Sequence, residues 1–364
     1  MCKVKNTVIS LLLLCLAVMT VTGCGTESSG GQSADGRTEI FVDSAGRSVE
    51  IPEQVETIAP SGAYAQMYLT SLCPDKLLGL SSSLTRRQKE YLPEGLQELP
   101  VFGQFYGKNT TMNFEEIIKA SPDVIIDVGE AKKDIAEDMD SIQEQTGIPV
   151  VFIESALETT PETFAKLGVV TDEEERASEL AAYCQQVIDL AGSNRERLAE
   201  EDVKTVYYGD GEYGTQSAAA GSTHAEVFDM IGADNVTKLD NYSESGADEI
   251  PMEEIINWDP EIVFLTEDAN YDEIYDDPAW ASVTAVKEHR VFEVPSSPYN
   301  WMDRPPSVQR ILGILWAGNL VYPELYDYDM VKKTQEYYQL FYGCQLSKKD
   351  AEALLENSTL SVQS

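Results

Sequence analysis

Histidine is scarce in this 364-residue chain, which contains only His224 and His289. Proteins hold zinc and similar metals with clusters of histidine, cysteine and carboxylate ligands. Two histidines far apart in sequence cannot build a histidine-rich metal cage. The composition therefore excludes such a cage, and we expect neither a metal site nor a resident cofactor.

Basic residues are also few. The chain has 26 lysines and arginines against 63 acidic residues, which gives a formal net charge of −37. Nucleic acids and anionic lipid headgroups are themselves polyanions, so this charge works against non-specific binding to either.

The N-terminal apolar run is too short to span a membrane. Residues 8–21 number fourteen, whereas a spanning helix needs about 20. Lysines before this run and the sequence Val-Thr-Gly-Cys ending at Cys24 are typical of a lipoprotein signal peptide, which we assign to 1–23, with Cys24 as the lipidated residue. Residues 24–37 are rich in Ser and Gly and predict a flexible tether. The alternative is a plain secretory signal in which Cys24 has no such role.

Beyond this segment only Cys73, Cys184 and Cys344 remain. Their spacing matches neither a disulfide framework nor a metal-ligand motif. Each lies in an apolar context, which predicts a small buried side chain. Whether two of them are bridged stays open.

Recognisable catalytic motifs are missing too. The chain contains no Gly-x-Ser-x-Gly elbow, no phosphate-binding P-loop and no His-Glu-x-x-His pattern. We therefore expect no enzyme. Because acidic pairs are plentiful, a surface-anchored hydrolase that uses carboxylates stays open as an alternative of another class.

The most informative feature that is present is an internal repeat. Residues 114–126, Phe-Glu-Glu-Ile-Ile-Lys-Ala-Ser-Pro-Asp-Val-Ile-Ile, recur at 252–264 as Met-Glu-Glu-Ile-Ile-Asn-Trp-Asp-Pro-Glu-Ile-Val-Phe, with five of thirteen positions identical. Each copy predicts a short helix, a turn and a buried apolar strand. Such a strand is typical of a parallel sheet covered on both faces.

The flanks of the two copies repeat as well. A strand and a helix precede each copy, at 55–72 and 205–231, and another strand follows each, at 149–153 and 290–294. This alternation predicts an α/β fold of two Rossmann-like lobes with central parallel sheets.

Between the copies, apolar residues recur at helical spacing over 172–200, which predicts one long connecting helix. We therefore expect an N-terminal lobe at 38–164, the connecting helix at 165–200, and a C-terminal lobe with terminal helices at 201–364.

Several motifs occur in a family-specific order. They are the lipobox, a hairpin Asp-x-x-Gly-Arg-x-Val-x-Ile-Pro at 43–52, the Glu-Ile-Ile-x-x-x-Pro block in each lobe, and a Trp-x-Asp-Arg-Pro loop at 301–305. Over 38–345 the chain resembles the helix-linked (class III) periplasmic binding proteins of ABC importers for ferric siderophores, haem and vitamin B12. The resemblance implies two lobes joined by a rigid helix, with a ligand cleft between the lobes. It also implies a monomer that is lipid-anchored outside the cytoplasm and delivers ligand to an ABC permease.

Repeat symmetry places Glu115 and Glu253 at equivalent points, one in each lobe. In the resembling family such glutamates pair with arginines of the permease, so the resemblance implies permease docking for both. Two carboxylates on a two-lobed body can align it on a two-fold symmetric channel mouth. The alternative is that both are ordinary first-turn glutamates favoured by the helix dipole.

The loop 298–306 follows a predicted strand and precedes a helix, which is the crevice position at which α/β lobes bind ligands. Family members carry ligand contacts in this loop, where Arg304 offers a permanently charged fork and Trp301 and Tyr299 offer flat faces. For the loop the alternative is a surface pair of Arg304 and Asp303 with a packed tryptophan. For His224 the alternative is a hydrogen-bonded residue near a helix start. The predicted ligand-binding set is Tyr64, Gln104, Phe105, Tyr106, Tyr213, His224, Tyr299, Trp301, Asp303 and Arg304.

Together these features predict a membrane-anchored substrate-binding protein of an ABC importer. The expected ligand is an iron complex, either a siderophore or haem, or a corrinoid. A small oxyanion such as molybdate, held by Arg304, hydroxyls and backbone amides, is the alternative ligand class.

Overall fold

The computed structural model describes residues 37–106, 111–243, 245–303 and 305–360. The predicted signal peptide, most of the predicted tether and Cys24 lie outside these residues. In the described part of the chain, no helix combines the length and apolarity needed to cross a bilayer.

Strands and helices alternate along most of the chain. The strands are β1 Thr38–Val42, β2 Ser48–Pro52, β3 Ile58–Pro60, β4 Val124–Gly129, β5 Val150–Glu154, β6 Thr205–Asp210, β7 Gln216–Ser217, β8 Asp234–Asn235, β9 Asp248–Glu249, β10 Ile262–Leu265 and β11 Val291–Glu293. The helices are α1 Ala63–Leu72, α2 Gln88–Tyr91, α3 Phe114–Ala120, α4 Ile135–Thr146, α5 Thr160–Thr171, α6 Glu174–Arg195, α7 Glu226–Ile231, α8 Met252–Trp258, α9 Tyr271–Asp276, α10 Thr284–Lys287, α11 Arg310–Val321, α12 Met330–Tyr342 and α13 Lys348–Leu354.

The two sheets confirm the predicted pair of α/β lobes. The N-terminal sheet has the order β3-β4-β5 and is parallel throughout. The C-terminal sheet contains the equivalent parallel order β6-β10-β11. The short β8 also pairs with β6 in parallel, whereas β7 and β9 extend the sheet antiparallel. The sequence repeat is therefore a repeat of structure.

The central strands are buried on both faces, as their uninterrupted apolar sequences require. In β4, Ile126 faces a core that runs through both lobes, whereas Ile125 faces a smaller core of the N-terminal lobe. In β10, Phe264 faces the same shared core, and Val263 faces a core of the C-terminal lobe alone. Because side chains alternate along a strand, one face of each sheet joins the two lobes.

The connecting helix is shorter than expected. Asp172 adopts a left-handed conformation, with φ of 53°, and ends α5 after Thr171. The long helix α6 then runs only from Glu174 to Arg195. The segment predicted as one helix over 165–200 therefore contains the end of α5, a break and α6.

The C-terminal helices do more than complete their own lobe. Tyr338 on α12 packs edge-on against Tyr91, with ring centroids 5.5 Å apart. Phe341, one turn further along, packs against Phe164 of α5 at 6.2 Å. Helix α12 thus packs on the N-terminal lobe as well as on its own.

Candidate functional site

A cleft of about 1110 Å³ opens between the lobes. One wall is 127–134, which begins at the carboxyl end of β4, the edge at which parallel α/β sheets bind ligands. The opposite wall includes 221–224, which lead into α7. Further lining residues are Tyr64, Tyr106, Asp138, Tyr242, Ser243, Ser245, Pro305 and Pro306.

Asp127 is the buried carboxyl group of the N-terminal wall. The parallel register of β3 and β4 brings it opposite Ser61, whose hydroxyl donates a hydrogen bond to it. Burial raises its pKa to about 6, against the partly compensating effects of the Ser61 hydrogen bond and the Lys132 ammonium. Asp127 therefore changes charge close to neutral pH.

The C-terminal lobe has a matching pair in the opposite order. The register of β6 and β10 brings Asp210 opposite Thr266, and the threonine hydroxyl donates to the carboxylate. In the N-terminal lobe the hydroxyl of Ser61 follows β3 and the carboxylate lies on β4. In the C-terminal lobe the carboxylate of Asp210 ends β6 and the hydroxyl of Thr266 follows β10. Each lobe therefore has a buried carboxylate at the carboxyl edge of its sheet, held by a neighbouring hydroxyl.

Tyr106 organises the outer part of the N-terminal wall. Its hydroxyl donates to Asp138 Oδ2 at 2.7 Å, and the Lys132 ammonium lies 3.5 Å from its ring centroid. This cation–π contact orients Lys132 without neutralising it. Neither Lys132 nor its exposed neighbour Lys133 forms a salt bridge with a described carboxylate. The wall therefore carries two ammonium groups outside direct ion pairs, beside the carboxylates of Asp127, Glu130, Asp134 and Asp138.

His224 and Asp303 form a hydrogen-bonded pair on the C-terminal wall. His224 Nδ1 lies 2.6 Å from Asp303 Oδ1, and the aspartate is fully buried whereas the imidazole is partly exposed. Asn300 orders the aspartate loop, because its Oδ1 accepts hydrogen bonds from the Met302 and Asp303 amides at 2.8 and 3.0 Å. At Gly246, a Cβ would lie 2.5 Å from His224 Cγ, so only glycine lets this loop cover the ring.

Arg310 is a buried cation behind the cleft, at the start of α11. It forms an ion pair with Glu226 and donates to the Thr223 carbonyl oxygen at 3.1 Å. Thr223 in turn donates its hydroxyl to Glu130 of the opposite wall. A chain of polar contacts from Arg310 thus reaches across the cleft.

The predicted ligand-binding residues are distributed unevenly around this cleft. Tyr64, Tyr106 and His224 line it, and Asp303 lies directly behind His224. Gln104 and Phe105 are half-buried next to Tyr106. Tyr213 is 62% exposed and is not among the lining residues.

The two other aromatic residues of that set lie inside the fold. Trp301 is 0% exposed and packs edge-on against Trp316 of α11, and Tyr299 is buried against Tyr342 of α12. The sequence predicted that both rings offer flat faces to a ligand. In the structure both are buried in the core and neither lines the cleft. Arg304 lies outside the described residues, so its ligand role stays a prediction.

Sequence reasoning passed over Lys132, Lys133, Asp127 and Arg310. One signal for Arg310 was available, because it is the only charged residue of the otherwise apolar α11. For Asp127 the signal was a carboxylate inside an apolar strand. No group of three or more His, Cys, Asp or Glu residues among those described is arranged to hold a metal ion.

The close contact between the 298–303 loop and α11 at Gly313 leads to a prediction about stability. A Cβ at Gly313 would lie 1.9 Å from the Trp301 carbonyl oxygen. The variant G313A is expected to lower the free energy of unfolding by about 1–3 kcal/mol, because the loop or the helix must move. Urea denaturation checks this. The control is G192A in α6, where a Cβ meets nothing within 4 Å and a gain of about 0.5–1 kcal/mol is expected. Equal stability of the two variants would contradict the prediction.

Comparison with known proteins agrees with this architecture. Residues 77–298 match the family described as periplasmic binding protein. A solved ABC transporter solute binding protein from Sulfurospirillum deleyianum is 31% identical, with a TM-score of 0.80 over 87% of this chain and 99% of that chain.

Two curated relatives are more distant. The molybdate-binding protein MolA of Haemophilus influenzae is 25% identical over 261 residues, which cover 65% of this chain and 71% of the relative. The ABC transporter substrate-binding lipoprotein YvrC of Bacillus subtilis is 20% identical over 292 residues, or 77% of this chain and 87% of the relative.

Such proteins bind small ligands, work with permease subunits and are not enzymes, which confirms the expectation of a non-enzymatic protein. The two-lobed fold, the cleft and the family match lead to one conclusion: this chain belongs to the periplasmic binding protein family and is a substrate-binding protein of an ABC transporter.

Proposed function

We propose that this protein captures an anionic, oxygen-rich iron chelate of the siderophore or haem type and delivers it to the permease. The observation that carries the proposal is the charge arrangement of the cleft. Three of its four carboxylates, on Asp127, Glu130 and Asp138, each accept a hydrogen bond from a protein hydroxyl, and the fourth, on Asp134, is exposed. The ammonium groups of Lys132 and Lys133 form no salt bridge with a carboxylate among the described residues. The two ammonium groups can therefore turn toward a ligand, whereas these three carboxylates are oriented by protein hydroxyls and keep their charge.

The dimensions of the cleft favour a bulky ligand. Ligand pockets for drug-sized molecules commonly measure about 300–1,000 Å³, and this cleft reaches about 1110 Å³. Its lining mixes tyrosine rings with serine and threonine hydroxyls, which suit a chelate that has both aryl surface and oxygen atoms. A neutral corrinoid would gain less from the charges of the two lysines. We therefore favour an anionic iron complex over a corrinoid as the ligand.

Molybdate is the second candidate ligand. The similarity to MolA of Haemophilus influenzae, which is named as a molybdate-binding protein, supports it. A tetrahedral oxyanion would occupy only a small part of the cleft. It would have to sit in one corner, held by a lysine, His224 and hydroxyls.

The double variant K132A/K133A tests the charge argument. It is expected to weaken binding of ferric enterobactin or haemin by about tenfold or more, because each charge-assisted contact contributes about 1.5–3 kcal/mol. Binding of neutral cyanocobalamin should not change. Calorimetric titration of both ligand types, with molybdate as a further arm, provides the measurement.

The matched control is K348A/K349A, which removes the same charge from two exposed lysines at the start of the remote helix α13. Tight binding of molybdate alone would replace the chelate by the second candidate. If K132A/K133A binds every anion as well as the wild type does, the charge argument is wrong.

The remaining parts of the proposal concern the membrane. We infer that Cys24 carries lipid and anchors the protein outside the cytoplasm, and the lipoprotein YvrC among its relatives supports this. Glu115 and Glu253 are proposed to dock on the permease. Both are exposed, in the first turns of α3 and α8.

A further inference from the structure

Hydrogen bonds join the two lobes at two places among the described residues. In the cleft, the Thr223 hydroxyl donates to Glu130. Elsewhere, the Arg87 guanidinium of the N-terminal lobe forms an ion pair with Glu267 of the C-terminal lobe. Neither Arg87 nor Glu267 is among the residues that line the cleft. The second contact can therefore be changed without altering the ligand site.

Arg87 belongs to a loop that leaves the N-terminal lobe and returns to it at the same point. Leu80 and Val101 form a parallel bridge at the base of this loop, where the Leu80 amide donates to the Pro100 carbonyl oxygen at 2.9 Å. We call residues 81–100 the crossing loop. Because both of its ends are fixed to one lobe, any contact that it makes with the other lobe is a contact between lobes.

The crossing loop is held in place by its inner side chains. Three of its leucines are buried in the core shared by both lobes, namely Leu84, Leu92 and Leu96. Its Tyr91 packs edge-on against Tyr338 of α12. The backbone that carries Arg87 is therefore already ordered, so the ion pair does not have to order it.

Glu267 is oriented for this contact by its own lobe. It follows β10, and Ser296 follows the neighbouring strand β11. The Ser296 hydroxyl donates to Glu267 Oε2 at 2.7 Å, and the same oxygen accepts from Arg87. Arg87 Nη1 also donates to Ser296 Oγ at 3.3 Å. The three side chains thus form a closed triangle of hydrogen bonds, with one corner in the N-terminal lobe.

The triangle lies at the edge of the C-terminal sheet at which the cleft opens. Glu267 and Ser296 lie beyond the carboxyl ends of their strands, and in α/β folds this edge borders the ligand crevice. Separation of the lobes at this edge would break the triangle. A contact that exists only while the lobes are together favours the closed arrangement by its own free energy.

The triangle is accessible to water, which suits a contact that forms and breaks repeatedly. The side chains of Arg87 and Glu267 are 63% and 44% exposed. Exposed ion pairs are individually weak and are screened by salt, whereas breaking a buried pair is strongly unfavourable. An exposed triangle can therefore slow the opening of the lobes without preventing it.

We propose that Arg87, Glu267 and Ser296 form a latch between the lobes, which opposes opening of the cleft and so slows release of the ligand. The latch acts on the motion of the lobes and is independent of which ligand the cleft holds. Only its effect on the release of an iron chelate rests on the proposed function.

The first readout needs no ligand. Spin labels attached at E115C and E253C, on exposed first turns of α3 and α8, report the distance between the lobes by double electron–electron resonance. The variant R87E places two carboxylates against each other. We expect its distance distribution to broaden toward open arrangements relative to that of the unsubstituted latch.

The second readout is the dissociation rate of ferric enterobactin, followed by stopped-flow quenching of tryptophan fluorescence. R87E is expected to raise this rate by about fivefold, because repulsion replaces a weak attraction of similar size. The reversed pair R87E/E267R has opposite charges again and is expected to restore both readouts. The matched control is R86E, since Arg86 is 95% exposed and its ion pair, at 3.9 Å, is with Glu90 of the same loop. No change is expected for R86E.

The outcomes separate the latch from the proposed function. An unchanged distance distribution in R87E, or a failure of R87E/E267R to restore it, overturns the inference. The same holds if R86E acts like R87E, because the cause is then a general loss of positive charge, and if the distances change while the dissociation rate does not. If ferric enterobactin does not bind the wild type, the proposed ligand is wrong, and the distance measurement still decides whether the latch exists.

Discussion

Reversing the charge of both docking glutamates, in E115R/E253R, is expected to abolish ligand uptake while leaving ligand affinity unchanged. Each new arginine would meet a basic permease group in place of an ion-pair partner, and like charges brought together in an interface cost several kcal/mol. Docking affinity should therefore fall by more than about a hundredfold. Because α3 and α8 contribute no residue to the lining of the cleft, the binding site itself should be unaffected.

A close control is available in the same repeat. In E116R/E254R the adjacent glutamates change by the same charge, and both are exposed, yet they lie about 100° further round their helices. Uptake by this variant is expected to stay near normal. Transport into proteoliposomes and calorimetric ligand binding provide the two readouts. A normal uptake rate in E115R/E253R, or equal losses in both variants, would refute the assignment.

The second large effect is expected at Asp127. In D127N the side chain keeps its shape and its acceptor oxygen for Ser61, but it can no longer ionise. The wild-type carboxyl has its pKa raised from the ordinary 3.8 to about 6, mainly by burial and further by Asp138, with Ser61 and Lys132 acting in the opposite direction. Ionising this group in the folded protein is therefore unfavourable.

The direction of the pH dependence follows from this pKa. Because the folded state holds the proton more tightly than the unfolded state does, the wild type loses stability as the pH rises from about 4 to about 6. Above about pH 7 the penalty is constant, on the order of 3 kcal/mol, since one pKa unit corresponds to about 1.4 kcal/mol. D127N should avoid this penalty and should be more stable than the wild type at pH 7.5 by a similar amount.

Urea denaturation at several pH values between 4 and 8 measures the difference. We expect the stability gain of D127N to shrink toward zero near pH 4. The control is D134N, which removes the same charge from an exposed position of the same wall and should change stability by no more than about 0.5 kcal/mol. A gain that stays constant with pH would show that Asp127 does not titrate in this range.

Much of the fold could be predicted because the pattern was local and repeated. Apolar strands such as 124–126 and 262–264 sit in parallel sheets for the reason their sequences indicate, which is burial on both faces. The connecting helix was predicted from its spacing, but its start was not. Asp172 takes a left-handed conformation that ends α5. This conformation could not be predicted from an aspartate within a helical sequence pattern.

The site was less predictable, since position along the chain does not reveal the direction of a side chain. Tyr106 and Trp301 looked equivalent in sequence, as aromatic residues in loops. The structure places Tyr106 on the cleft and buries Trp301 against Trp316, because the 298–303 loop lies directly on α11 at Gly313. Lys132 was not predicted as a site residue, because it lies in an acidic segment of the sequence. In the structure it lies against Tyr106 on the cleft wall.

The sequence by itself determined the two lobes, the repeat and the family, since hydrophobic periodicity and motif order are properties of the chain alone. Only the tertiary structure decided which residues meet in the cleft. Asp127 acquires its unusual pKa from burial beside Ser61, 66 residues away, and His224 meets Asp303 across 79 residues. Charge and exposure are set by neighbours in space, and distant segments become neighbours only when the sheets and the shared core have formed.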